Sequence, residues 1–304
     1  IWVGVTNVTP GMPAVGLARY RNGSWTLLTT GDGLAGNLVR DVVVDAAGRV
    51  WVAHAWETVS SGSGHLISVL ENDAWRWLRD GPGIALPSNQ LIDLALSPEG
   101  TAVAGSISGG AGLHDGTAWQ LYRDADPSPY ALIPQAVERS PGGHVWVGYA
   151  GIGGTEHLVG RLDGAHWTGF GEETGLPLDA LSILPRSLAF DPRGQPWFAL
   201  QHRERGRDVL WSDGARWRTI TPLDGLPPYD VLDVAFDRQG RPWVALQGGV
   251  ARRDGAAWTR YTSRDGLPGD NVRAVAVGPD GAVWAGTVTG AARFDGRGWR
   301  AFRT

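Results

Sequence analysis

The sequence predicts an all-β protein: a seven-bladed β-propeller of four-stranded antiparallel blades, with the first blade lacking its innermost strand. Three observations predict it. Two interleaved sets of tryptophan recur at a fixed period, a glycine turn recurs between short alternating strands, and an Asp-Gly or Asn-Gly turn recurs further along each unit.

Trp25, Trp75, Trp119, Trp167, Trp217, Trp258 and Trp299 form one set, and Trp2, Trp51, Trp146, Trp197, Trp243 and Trp284 the other. Val103 falls in the vacant slot of the second set, which makes seven units. The last unit serves as template. "VRAVAV" (Val272 to Val277) alternates as a half-buried strand and is followed by the turn "GPDG". "AVWAGT", "GAARFDG" and "GWRAFR" then read as three further short strands. Gly48, Gly100, Gly143, Gly194, Gly240 and Gly281 suit a left-handed position in the first hairpin. The second hairpin is signalled by Asn22-Gly23, Asp115-Gly116, Asp163-Gly164, Asp213-Gly214, Asp254-Gly255 and Asp295-Gly296, with Asn72-Asp73 as the variant. The expected organisation is a single domain over 1–304, with blades at about 1–30, 38–79, 90–123, 132–171, 183–221, 229–262 and 271–304.

Repetition has a physical purpose, because a lone four-stranded blade leaves two apolar faces wet and a neighbour on each side covers them. Each buried tryptophan hides roughly 150–250 Å², at most about 4–6 kcal/mol of burial. The repeat tryptophans are therefore expected in the core. Trp77 and Trp211 lie outside both sets but within strands, where packing is again the expectation.

The pattern "GLP…N-V-x-x-V…D-G-x-V-W-x-G-T…G-x-x-R-F-D-G" of the last unit, repeated more weakly in "DGLPPYDVLDVAFDRQGRPWVAL" (Asp224 to Leu246), resembles the two-component regulator propeller repeat. The resemblance spans the chain. It departs at Val103, at "IPQAVERSPGG" and in the Gly-Thr after the strand-two tryptophan, which survives only as Gly286-Thr287. It implies an extracytoplasmic sensing module of a bacterial signalling protein, periplasmic or extracellular, attached to downstream signalling domains, and it supplies no catalytic residues.

Composition narrows the function classes. A net charge of −4 with 27 arginines and no lysine gives no general drive toward nucleic acid. With no cysteine there is no disulfide or thiolate chemistry. No apolar run approaches the roughly 20 residues of a spanning helix. No leader precedes Ile1, so the sequence reads as a piece of a longer protein. The seven histidines show no metal-ligand spacing, and no phosphate loop, nucleotide fingerprint or nucleophile elbow occurs. No cofactor and no metal are expected. An enzyme is the weaker expectation, because a propeller lyase or hydrolase would have to assemble its residues from several blades.

Candidate binding residues come from the loops. The connections after strand four and between strands two and three are long or variable and emerge on one face, where binding concentrates on rigid scaffolds. Eight residues before the turn glycine, at the mouth end of strand one, stand Arg40, Gln135, Arg186 and Arg273, with Ile92 and Leu232 in the other units. Guanidiniums there would suit a carboxylate or sulfate. The competing expectation is that they cap the packing between blades. The mouth end of strand two adds His54, Tyr149, Gln201 and Gln247, and beside them Trp56, a stacking surface for a sugar ring or a loop-packing residue. The expected function is a ligand-binding sensor for a small anionic or carbohydrate ligand. A protein-interaction scaffold is the alternative.

Overall fold

The computed structural model describes residues 1–5, 16–45, 47–54, 65–79, 91–96, 102–106, 110–114, 119–122, 133–150, 158–163, 166–177, 179–203 and 206–303. The chain is all-β and falls into two compact units, Ile1–Arg139 and Ser140–Thr304.

The first unit opens with the three-stranded antiparallel sheet β1 (Trp2–Val5), β2 (Gly16–Arg21) and β3 (Ser24–Leu28). Two four-stranded sheets follow in sequential order. One is β4 (Val39–Val44), β5 (Val50–His54), β6 (His65–Glu71) and β7 (Ala74–Arg79). The other is β8 (Leu91–Leu96), β9 (Ala102–Ser106), β10 (Gly110–His114) and β11 (Trp119–Tyr122), and β12 (Ile133–Arg139) ends the unit. The slot of Val103 lies on β9, opposite Leu113.

In the second unit β13 (Val145–Ala150), β14 (Val159–Asp163) and β15 (His166–Phe170) share one sheet with β16 (Ala180–Phe190), β17 (Pro196–His202), β18 (Arg207–Ser212) and β19 (Trp217–Ile220). The sequence expects two separate blades here. The sheets join because β16 is long: it jumps register between Ile183 and Leu188, and its start places Ser182 against Ala150. Two regular four-stranded sheets close the unit. They are β20 (Val231–Phe236), β21 (Pro242–Leu246), β22 (Gly249–Asp254) and β23 (Ala257–Tyr261), then β24 (Val272–Val277), β25 (Val283–Thr287), β26 (Gly290–Phe294) and β27 (Trp299–Arg303).

The predicted turn chemistry is present. Gly48, Gly143, Gly194, Gly240 and Gly281 all have φ between 74° and 86°, the left-handed region. Gly100, Asp115-Gly116 and Gly164 lie outside the described residues. Four outer strands, β3, β15, β19 and β23, lead on through a short 3-10 turn, and three of these turns carry a capping box: Thr29 with Asp32, Thr221 with Asp224 and Thr262 with Asp265. The leucine after each turn, Leu34, Leu226 or Leu267, is buried and anchors the connection.

The core lies between consecutive sheets. One cluster takes Trp51, Ile67 and Val69 from one sheet and Leu94, Ala102 and Ala104 from the next. Another joins Trp243, Ala245 and Val250 to Val275, Ala285 and Phe294. Trp51 and Trp243 are fully enclosed, and each indole N–H donates to a turn carboxylate, Asp45 at 3.2 Å and Asp237 at 2.9 Å. Two expectations of burial fail. Trp25, on the outermost strand β3, is 37% exposed and tilts against Tyr20, and Trp77 is 44% exposed with its indole N–H on the Gly33 carbonyl.

A polar latch accompanies the apolar contacts. Asp41, Asp93 and Asp233 each stand seven residues before the turn glycine, just past a register shift. Their Oδ2 atoms accept the backbone N–H of Leu94 (3.0 Å), Val137 (2.7 Å) and Val275 (2.9 Å) on the next inner strand. A charge-assisted bond in a partly dry setting is stronger and more directional than a neutral one.

Candidate functional site

The mouth positions of the inner strands are set by β-bulges. Register shifts between Val39 and Asp41 and between Val272 and Ala274 leave Arg40 and Arg273 as the extra residues, and both side chains are exposed. Arg186 sits in the irregular stretch of β16 with φ 58°, an unusual conformation for a residue other than glycine, and it too is exposed. Gln135 on β12 is half-buried. A bulge does not by itself expose a side chain, since Leu232 at the same position of β20 is buried in the cluster against β24 and β25.

The strand-two candidates divide into enclosed and open groups. His54, opposite Val39 and beside Arg40, is buried with Nε2 2.8 Å from Ser68 Oγ, and burial lowers its pKa to about 4. Ser68 Oγ in turn accepts the Ala35 N–H at 2.9 Å, tying the connecting loop to the sheet. Tyr149 is buried edge-on to Trp167. Gln201 donates to the carbonyls of His202 and Gly206 and accepts from Arg207 Nε at 2.7 Å, so its amide braces its own loop. Gln247 is exposed, held by its backbone N–H on the Asp230 carbonyl. Trp56 lies outside the described residues, as do most of the long connections between strands two and three. Arg40, His54 and Gln135 belong to the first unit; Arg186, Arg273, Tyr149, Gln201 and Gln247 belong to the second.

Carboxylates form the polar groups of the inner strands that residue-by-residue reading misses. On β12, burial raises the Glu138 carboxyl to about 7, the Arg139 N–H at 2.9 Å opposes the rise and the charge of Asp41 adds to it. In the second unit the buried His202 places Nδ1 3.0 Å from Asp179 Oδ1 and Nε2 3.2 Å from Asp208 Oδ2. With both ring nitrogens facing carboxylates, that imidazole is a brace for the loop and has no face left for a ligand. The recurrence of aspartate seven residues before the turn glycine is the signal that could have revealed the latch. No signal of fixed spacing marks Glu138 or His202. Among the described residues no group of three or more histidines and acids is arranged to hold a metal, and no helix is long and apolar enough to cross a membrane.

No protein-family model matches the chain, and no curated protein sequence matches it either. Solved structures do. The extracellular domain of BT3049 from B. thetaiotaomicron, named as a hybrid two-component system, matches 89% of this chain at 16% identity and TM-score 0.61. The extracellular domain of BT4673 from the same organism, named as a one-component system, matches 96% at 14% identity and TM-score 0.59. Virginiamycin B lyase from Staphylococcus aureus matches 88% at 12% identity and TM-score 0.66. The chain spans 41% and 46% of the first two structures and 84% of the lyase. At these identities the likeness is one of fold. The chain has the β-propeller-like all-β fold, and its structural neighbours include extracellular domains of signalling proteins, in line with the resemblance of its repeats to the two-component regulator propeller repeat.

Proposed function

We propose that the chain is the recognition propeller of an extracytoplasmic sensor, built of seven blades and attached to signalling domains. It binds a small anionic or carbohydrate ligand on the face of its long loops. The observation that carries this reading is the exposure of Arg40 and Arg273 at bulged mouth positions, where the fold turns a guanidinium toward solvent at the end of an inner strand. Arg186, held in a left-handed conformation at the equivalent position, supports it. Gln135 and Gln247 supply neutral hydrogen-bonding groups, and His54, Tyr149 and Gln201 stiffen the strands beneath. Trp56 is the proposed stacking surface.

Thermal-shift screening against acidic and neutral saccharides tests this directly, because a ligand that binds only the folded state raises the melting temperature by mass action. Arg273→Ala should abolish the shift caused by an acidic ligand, and Arg273→Lys should weaken it less, since lysine keeps the charge but not the fork. A ligand whose shift survives in Arg40→Ala, Arg186→Ala and Arg273→Ala alike would sink this site. One observation favours a scaffold instead. Leu223, on a 3-10 turn, is almost fully exposed, and Tyr229 and Val288 are exposed on connections of the same unit. Recovery of one defined protein partner that Leu223→Asp and Val288→Asp release would favour that reading.

A further inference from the structure

The repeat contains an arginine–acid pair that the first sheet replaces with two arginines. In two sheets of the second unit the strand-two tryptophan faces an arginine on strand three: Trp146 faces Arg161 and Trp243 faces Arg252, with the guanidinium 5.5 and 5.4 Å from the ring. Two residues on, at the last paired position before the hairpin turn, an acid neutralises that arginine. Arg161 Nε lies 3.0 Å from Asp163 Oδ2, and Arg252 Nε 2.9 Å from Asp254 Oδ2. The same hairpin position holds Glu71 in the second sheet.

In the first sheet Trp2 faces Arg19, with the guanidinium 5.6 Å from its ring, so the arginine half of the motif is intact. The acid half is not, because Arg21 stands at the last paired position, opposite Ser24. Arg19 and Arg21 share one face of β2 by strand alternation. Arg19 Nε is buried and has no hydrogen-bond partner among the described residues, which leaves it available to an acceptor in the groove. Both arginines line a groove of about 550 Å³ between the first two sheets, in the size range of small-ligand sites. Across it, Arg49 is already committed to Asp45 at 2.5 Å, and Glu71 lies 3.8 Å from both Arg49 and Arg76, while Asp73 is the other acid of the lining.

We infer that this groove is an oxyanion site, in which the sulfate, phosphate or carboxylate group of a small ligand takes the place of the absent acid between Arg19 and Arg21. It lies at the tight-turn end of the strands, apart from the mouth positions proposed above, and stands independently of them. The test uses the intact 304-residue chain with sodium sulfate, sodium phosphate and sodium citrate, each titrated against sodium chloride at equal ionic strength, with melting temperature and calorimetry as readouts. At least one of the three should give a saturable response. Arg21→Asp rebuilds the arginine–acid pair of the other sheets, so it should melt at or above the parent without anion and lose the response. Arg19→Gln and Arg21→Gln should each weaken the anion about ten- to hundred-fold, the loss of one charge-assisted contact. Every titration is run in an Arg273→Ala background, so that an anion response from the mouth positions is not read as one from the groove. No saturable response to any of the three anions, or a response that persists in Arg21→Asp, would overturn the inference.

Discussion

Replacing Glu138 with glutamine should make the protein more stable at neutral and alkaline pH and leave it nearly unchanged in acid. Glu138 sits on β12, where burial raises its carboxyl from an ordinary 4.5 to about 7. The unfolded chain releases this proton near 4.5, whereas the folded chain keeps it until about 7. Between those values the folded state binds more protons, so stability falls as pH rises. At about 1.4 kcal/mol per pH unit the accumulated loss is about 3 kcal/mol above pH 7. Glutamine mimics the protonated acid and does not titrate. Urea unfolding of both proteins from pH 4.5 to 8 should therefore show the variant drawing ahead by about 3 kcal/mol. The comparison must be a difference, because His54 works in the opposite sense over much of this range and flattens the absolute curve. Parallel curves for the two proteins would refute the reasoning and show that the Glu138 carboxyl is solvated. A variant that gains most of its advantage below pH 4.5 would refute it equally.

The remaining predictions concern single contacts. His54, depressed from 6.5 to about 4 by burial, contributes stability that is present above 6.5 and lost as pH falls toward 4, so His54→Gln should lessen acid sensitivity in the same urea series by about 3 kcal/mol. Trp243→Ala should cost about 3–5 kcal/mol through lost burial and a cavity, and Trp25→Ala, at a 37% exposed position, less than half of that; calorimetric melting of both variants checks the ratio. Asp233→Ala strips the acceptor from the Val275 N–H and should cost about 1–3 kcal/mol of unfolding free energy measured in urea, while Asp233→Asn, which retains a side-chain oxygen, should cost less.

The strands and hairpins were legible because each is a local property. Turn glycines need φ > 0, strand residues alternate, and the interleaved tryptophans mark where two sheets must press together. What stayed hidden depends on partners far along the chain. Nothing local to Glu138 tells that its strand packs where a carboxyl loses water, and nothing local to Trp25 tells that its outer strand leaves a third of it uncovered. The merging of β13 with β16 follows from extra residues in one strand, which shift register without changing the hydrophobic pattern. For the candidate site, position was readable and orientation was not. Arg273 and Leu232 occupy the same bulge slot, yet one is exposed and the other buried, because a leucine gains by turning into the neighbouring sheet and a guanidinium loses its water there.

The aspartate latch also divides the inner-strand amides into two kinds. The N–H groups of Leu94, Val137 and Val275 are held by a carboxylate from the preceding sheet, so solvent deuterium reaches them only when two sheets part. Those of Val42 and Val234 are held by the aspartate immediately before them in the chain, at 2.8 Å in both cases, and fraying of one strand is enough to release them. Five amides at one repeat position thus act as paired gauges. The exchange rate of Val275 relative to Val234 compares release of a contact between neighbouring sheets with fraying of a single strand.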